Sequence, residues 1–213
     1  KAYFVNIRKL SRKLRISEEE AGRDARYKIF NKVLKNLSFD YIAVAHNRED
    51  RAETVMLNII RGAGLDGLCG MPIKQGRIIR PLFNSSRTEI EAYLESSKIS
   101  YCIDSTNLSN DYSRNRIRNM LFPKIKEWFN VDPTNQLLRL SDLANPERDY
   151  LAKEANKYYN IALIKEVLLG TDNDEIILST QYLDSLSIAI IKRIIRLAWE
   201  RINSDRKNLE SVH

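Results

Sequence analysis

The sequence predicts an α/β protein in which a partial parallel-sheet unit is followed by a smaller, mainly helical one. Three observations carry that prediction. Short apolar runs rich in β-branched and aromatic residues (AYFVNI, FDYIAVAH and RIIRPL) alternate with segments of helical periodicity, the order that gives parallel sheets with helical crossovers. FDYIAVAH suits a strand buried on both faces, as strands lying between helix layers are. Beyond Pro133 the pattern is helical almost throughout, with EIILS as a small strand component. The division falls between Phe129 and Pro133, where Asn130, Asp132 and Pro133 interrupt the pattern, giving units of residues 1–130 and 131–213.

Each element follows from local chemistry. AYFVNI reads as a strand at the first residues, followed by a basic link. Ser17 before Glu18, Glu19 and Glu20 marks a helix start, with acids in the positive first turn, and Ala25, Ile29, Phe30, Val33, Leu34 and Leu37 supply its apolar face. FDYIAVAH is then the return strand of a βαβ unit. In the next helix Ala52, Val55, Met56, Ile59 and Ile60 form one apolar stripe, leaving Asp50, Glu53, Thr54, Leu57 and Arg61 on the solvent side. Gly62, Gly64 and Gly67 punctuate a loop before RIIRPL, a strand ended by Pro81. Ser85 or Ser86 caps a helix over RTEIEAYLESSK, and ISYCID is a further short strand. DSTNLSNDYSRNRIRN reads as a loop turning into a helix. TNQLLRLSDLA and PERDYLAKEANKYYNIAL read as two helices, Pro146 opening the second, and Ser187 caps a last amphipathic helix, SIAIIKRIIRLAWERI.

Composition narrows the function class. Of 213 residues, 43% are hydrophobic and 30% charged, which fits a globular core and excludes disordered or fibrous chains. No apolar run approaches the ~20 residues that span a bilayer, and KAYFVNIRKLSRKLR lacks a secretory signal's apolar core. A cytoplasmic protein with no membrane partner is therefore expected. Cys69 and Cys102 form no CxxC and have no histidine at zinc-site spacing, so both read as buried thiols. The net charge of +7 sits in the first two thirds, a field that favours polyanions such as RNA.

Two constellations stand out. His46 ends the IAVA strand, where open α/β sheets bind ligands, and Asp50 and Glu53 lie one turn apart on the following helix. Such acids can hold Mg2+ or an ammonium group, and the histidine can donate to phosphate or assist proton transfer; equally, acids in a first turn can do no more than complement the helix dipole. In YSRNRIRN, Arg114 and Arg118 share a helix face and suit bidentate contact with phosphate or carboxylate, against the plainer reading of a solvated charge run. RGAGLDG, with Arg61, Gly62 and Gly64, allows close backbone approach but also suits a helix stop. GxxxxGK[ST] does not occur.

In combination, EEEAGRDARY, DYIAVAHNREDRAETVMLNIIRGAGLDGLCGMP, IIRPLFNSSRTEIEAYL and IDSTNLSNDYSRNRIRNMLFP resemble the tRNA(Ile)-lysidine synthetase family over about residues 16–123. H-x-x-x-D-x-x-E-T is shared more widely among N-type ATP pyrophosphatases, whereas IRPL followed by D-x-[ST]-N and Y-x-RNRIR is closer to the lysidine enzymes. The resemblance implies a Rossmann-like PP-loop ATPase domain and a central, mainly helical, tRNA-contacting domain. It implies adenylation of the wobble cytidine of a CAU-anticodon tRNA(Ile) by ATP, with Mg2+, and displacement of AMP by free L-lysine. Carried over by position, His46, Asp50 and Glu53 are catalytic, with Asp50 and Glu53 also holding Mg2+ or the lysine ammonium. Arg26 and His46 would contact phosphate or base, and Arg114 the nucleotide or tRNA, with Asn115, Arg118, Arg61, Gly62 and Gly64 as further binding positions. A homodimer stays open. The family's SGGxDS loop is missing, so the chain is expected to be a fragment, without turnover of its own. Rival readings are a tRNA thiolase of the same superfamily, a non-catalytic RNA-binding module and a structural interaction domain.

Overall fold

The computed structural model describes residues 2–102, 112–168 and 174–203 and shows a mostly helical α/β protein with small sheets. In chain order the elements are α1 (Ile7–Leu14), α2 (Glu18–Asn36), β1 (Ile42–Ala43), α3 (Arg48–Ile60), α4 (Leu65–Leu68), β2 (Lys74–Gln75), β3 (Ile78–Ile79) and α5 (Arg87–Ser96). There follow α6 (Ser113–Arg116), a π-helical turn (Ile117–Leu121), α7 (Phe122–Phe129), α8 (Pro133–Ala162), β4 (Leu163–Val167), β5 (Glu175–Leu178), α9 (Thr180–Leu183) and α10 (Ile188–Asn203). Two compact units result, one of Lys1–Gly62 with Gly70–Leu138, the other of Ala63–Cys69 with Arg139–His213.

In the first unit, β1 pairs parallel with β3, and β2 pairs antiparallel with β3, in the order β1-β3-β2. FDYIAVAH therefore pairs parallel with RIIRPL, with α3 between them in sequence, and the βαβ unit expected of AYFVNI and FDYIAVAH does not form. The extent of the pairing is small, and burial on both faces is not found: Ile42 and Val44 are half-buried, while Tyr41 and Ala43 are exposed. A strand is buried on both faces only where packed layers cover both sides of its sheet. AYFVNI is not a strand; residues 2–6 are irregular, Phe4 is 96% exposed, and Asn6 caps α1 by accepting from Lys9 N at 3.0 Å. Alternating apolar residues become a strand only where a ladder partner exists. For the same reason residues 99–102 of ISYCID are irregular, which leaves Cys102 exposed while Cys69 is buried. Residues 103–111, including the whole D-x-[ST]-N element, lie outside the described residues.

α2 begins at Ser17, whose hydroxyl accepts from Glu20 N at 3.1 Å, and buries Ala21, Ala25 and Leu34; Leu37 is exposed. The stripe of α3 is buried only in its first half: Ala52 and Val55 pack with Leu137 and Leu138, whereas Ile59 and Ile60 face solvent. α5 starts at Ser86 in a reciprocal capping box with Glu89.

In the second unit two expectations change. TNQLLRLSDLA and PERDYLAKEANKYYNIAL are one helix, α8, with Pro146 inside it. Proline removes one helical N–H, and beside it Asn145 donates from Nδ2 to the Ser141 carbonyl at 2.8 Å. EIILS is a strand, β5, and its antiparallel partner is β4, LIKEV, of which the sequence assigns only Leu163, to the end of a helix. The glycine loop also contains a helical turn, α4, whose Asp66 pairs with Arg193 and Arg196 at 3.3 and 2.6 Å. The core of this unit is Ala155 and Tyr159 against Ile190 and Ile194 of α10. Among the described residues no helix is long and apolar enough to cross a membrane.

Candidate active site

The site is built where β1 hands over to α3. Asn47 ends the extended segment and caps the helix: its Oδ1 accepts from Asp50 N, and Asp50 Oδ2 accepts from Asn47 N, both at 3.0 Å. This fixes one Asp50 oxygen at the helix start and turns the other outward. Two further contacts hold the entry, Arg48 N donating to Ser85 O at 3.0 Å and Arg87 N donating to Glu49 Oε2 at 2.9 Å.

Glu53 does not lie on the solvent side; it is 1% exposed. The reason is Arg118, which donates from Nε to Glu53 Oε1 at 2.6 Å and from Nη2 to Oε2 at 3.0 Å, a bidentate pairing. The same Nη2 reaches Asp50 Oδ1 at 3.2 Å. One guanidinium therefore bridges both acids. Burial pushes the Glu53 carboxyl above its usual value, against the pull of Arg118. Arg114, one turn earlier, donates from Nη2 to Thr54 Oγ1 at 3.1 Å, and that hydroxyl donates to Asp50 O at 2.8 Å. The α6 helix and the π-helical turn thus bring Arg114 and Arg118 to the same side of α3. The turn itself is a helix irregularity of a kind found often at functional sites.

His46 is half-buried. Arg80, 2% exposed, donates from Nε to His46 Nδ1 at 3.2 Å and from Nη1 to the Pro72 carbonyl at 2.6 Å. Burial lowers the His46 pKa below its ordinary value, and Arg80, Arg114 and Arg23 push it the same way while Asp50 opposes them. Burial also lowers the Arg80 pKa, yet a guanidinium keeps its proton.

The structure therefore gathers His46, Asp50, Glu53, Arg114 and Arg118 into one cluster and adds Arg80 and Thr54. Thr54 was visible as the last residue of H-x-x-x-D-x-x-E-T. Arg80 stands in the sequence only as part of the strand motif RIIRPL, and no local signal marks it as a partner of His46. Arg26 is exposed on α2, and it is Arg23, three residues earlier, whose charge reaches His46. Asn115 is half-buried in α6. Arg61, Gly62 and Gly64 are exposed beyond α3; Gly62 has a φ of +72°, and a Cβ at either glycine would meet nothing within 4 Å. Gly62 is thus needed for its left-handed turn, and neither glycine for close packing.

Two acids, three arginines and a neutral imidazole leave the cluster with one net positive charge, suited to a phosphate-bearing ligand. The Asp50 and Glu53 pair does not fit Mg2+. Both Glu53 oxygens and one from Asp50 face Arg118, the remaining Asp50 oxygen closes the capping box, and among the described residues no three His, Cys, Asp or Glu side chains gather as a metal site.

The chain is similar to known proteins along nearly its whole length. A family model described as a PP-loop domain matches residues 3–125. The chain is 40% identical over 208 residues to the tRNA(Ile)-lysidine synthase of Caldanaerobacter subterraneus subsp. tengcongensis, covering 98% of this chain and 43% of that protein. It is 39% identical over 210 residues to the tRNA(Ile)-lysidine synthase of Clostridium acetobutylicum, covering 98% and 44%. With the tRNA(Ile)-lysidine synthase of Porphyromonas gingivalis it shares 40% identity over 151 residues, covering 70% and 33%. The chain thus spans less than half the length of these relatives.

Proposed function

Because this chain belongs to the PP-loop domain family, we propose that it is part of a tRNA(Ile)-lysidine synthase. The reading rests on the cluster in which Arg118 bridges Asp50 and Glu53 beside Arg114 and a neutral His46. In the proposed reaction the C2 carbonyl oxygen of the wobble cytidine of a CAU-anticodon tRNA(Ile) attacks the α-phosphate of ATP, and pyrophosphate leaves. The ε-amine of free L-lysine then bonds to C2, AMP departs with the oxygen, and the amine's proton passes to solvent.

The residues divide this work by burial. Glu53, closed off from solvent, clamps Arg118 and does not itself meet substrate. Asp50, whose side chain is 20% exposed, is the acid that receives the lysine ammonium. Arg114 and His46 face phosphate or the developing adenylate, where fixed donors stabilise charge. Mg2+ has no part in the roles given to Asp50 and Glu53. The parallel β1–β3 pair supports a Rossmann-like sheet, and we assign residues 1–130 to the catalytic domain and 131–213 to a mainly helical, tRNA-contacting domain of a cytoplasmic enzyme.

Asp50→Asn tests the reading in the protein expressed from the complete reading frame. Asparagine keeps the capping oxygen and removes the charge. Lysine incorporation into a tRNA(Ile) transcript is expected to fall about a hundredfold or more, the scale of one lost electrostatic contact to the reacting groups, with tRNA affinity unchanged. Wild-type incorporation by the variant would overturn the assignment.

A further inference from the structure

We propose that Arg80 is a positioning residue that locks His46 in one neutral tautomer, protonated on Nε2, so that His46 acts as a hydrogen-bond donor and not as a proton-abstracting base. The geometry leaves little freedom. A guanidinium has donors and no acceptor, so the Nδ1 atom that faces Arg80 Nε at 3.2 Å must present its lone pair. The proton of a neutral ring then sits on Nε2. Arg80 cannot turn away easily, because it is 2% exposed and its Nη1 is tied to the Pro72 carbonyl at 2.6 Å. The nitrogen that could accept a proton is thus already occupied, and the other already carries one.

The source of this rigidity lies in the chain path. Pro72 leads into the β2–β3 hairpin and Arg80 leaves it, with Arg80 N also donating to Ile73 O at 3.0 Å, so the arginine is fastened at backbone and side chain to the hairpin that pairs with β1. His46 stands at the end of the segment that contains β1. The strand pairing therefore sets the distance between donor and imidazole. Resting on the proposed function for its identity, the ligand oxygen that accepts from Nε2 would belong to a phosphate or to the activated cytidine.

The tautomer can be read directly. The chain has two histidines, so His213→Asn leaves His46 as the single imidazole. Two-bond 15N–1H spectra of that protein, at a pH above 7, are expected to show a protonated Nε2 and a bare Nδ1. Protonated Nδ1, or a mixture of both forms, overturns the proposal with no further variant needed. Arg80→Met is then expected to produce the mixture and to raise the His46 pKa, since one positive neighbour is gone; a spectrum identical to that of the parent overturns the role of Arg80. Should Arg80→Met fail to fold by circular dichroism, Arg80→Gln decides: it retains an N–H donor without the charge, and is expected to keep Nε2–H while raising the pKa. In the protein from the complete reading frame, Arg80→Met, which frees the tautomer, should lower kcat for lysidine formation severalfold at unchanged KM for tRNA, and Arg80→Gln, which keeps Nε2–H, should retain most of it. A kcat untouched by Arg80→Met although the tautomer has become mixed would count against the proposed reaction and leave the tautomer assignment standing.

Discussion

At the residue scale the two acids of α3 are not equivalent, although their spacing alone makes them look so. Glu53 spends both oxygens on Arg118 and is closed off from solvent, whereas Asp50 divides its oxygens between Arg118 and the Asn47 cap and stays 20% exposed. His46 adds a testable consequence. Its pKa in the folded protein lies below the ordinary 6.5, chiefly because burial disfavours the imidazolium. The unfolded chain therefore binds the proton more readily, and the stability this histidine contributes is complete above 6.5 and lost as pH falls through that value toward the folded pKa. Thermal melts of the chain are expected to show Tm falling in that window, and His46→Gln should flatten that part of the profile. A profile unchanged by the substitution would mean that the imidazole titrates freely in the fold. The sequence made His46, Asp50 and Glu53 legible because they lie within one short stretch. Arg80 was not legible, because its bond to His46 joins residues 34 apart and depends on a strand register that no local pattern states.

At the element scale caps were legible, and strands only in part: FDYIAVAH, RIIRPL and EIILS contain β1, β3 and β5, whereas two other runs do not form strands in their described residues. Ser17, Ser86 and the acids that follow them act within four residues, so their chemistry is local. AYFVNI and ISYCID have the alternation of strands, but a strand needs a partner that the local sequence cannot supply. β4 shows the converse: LIKEV follows directly on a helical pattern, yet it pairs with β5, Leu163 opposite Leu178 and Val167 opposite Glu175. The reciprocal box of Asn47 and Asp50 makes a helix cap part of the candidate site, and this can be separated from ordinary capping. Asn47→Ala and Ser86→Ala should each lower stability in urea unfolding by about 1 kcal/mol. Only Asn47→Ala should also move the His46 titration, since Asp50 is held by that box and its charge is felt at His46. An equal shift in Ser86→Ala would mean that the cap at α3 has no privileged link to the imidazole.

At the scale of the whole molecule the charge is divided unevenly. Residues 1–130 carry 24 Lys and Arg against 15 Asp and Glu, and residues 131–213 carry 11 against 13, so the positive field comes from the part that holds the cluster. Not all of that charge is available to a polyanion. Arg118 is already neutralised by Asp50 and Glu53, and Arg193 and Arg196 share Asp66, whereas Arg26 and Arg61 are exposed and form no ion pair among the described residues. Binding to tRNA through phosphate contacts weakens with salt in proportion to the number of counterions released, each neutralised phosphate adding about 0.9 to the slope of log K against log salt. The double variant Arg26→Gln/Arg61→Gln is therefore expected to reduce the slope by about 2 if each arginine meets one phosphate. Arg118→Gln should leave the slope where it was, because a guanidinium held by two carboxylates releases no counterion when RNA arrives, and should instead disturb the fold around a buried Glu53 left without its partner. Filter binding of a tRNA transcript across a salt series reads all three proteins. If Arg118→Gln lowers the slope as much as the double variant does, Arg118 leaves the acids to bind RNA, and the bridge across Asp50 and Glu53 is a resting arrangement that substrate undoes.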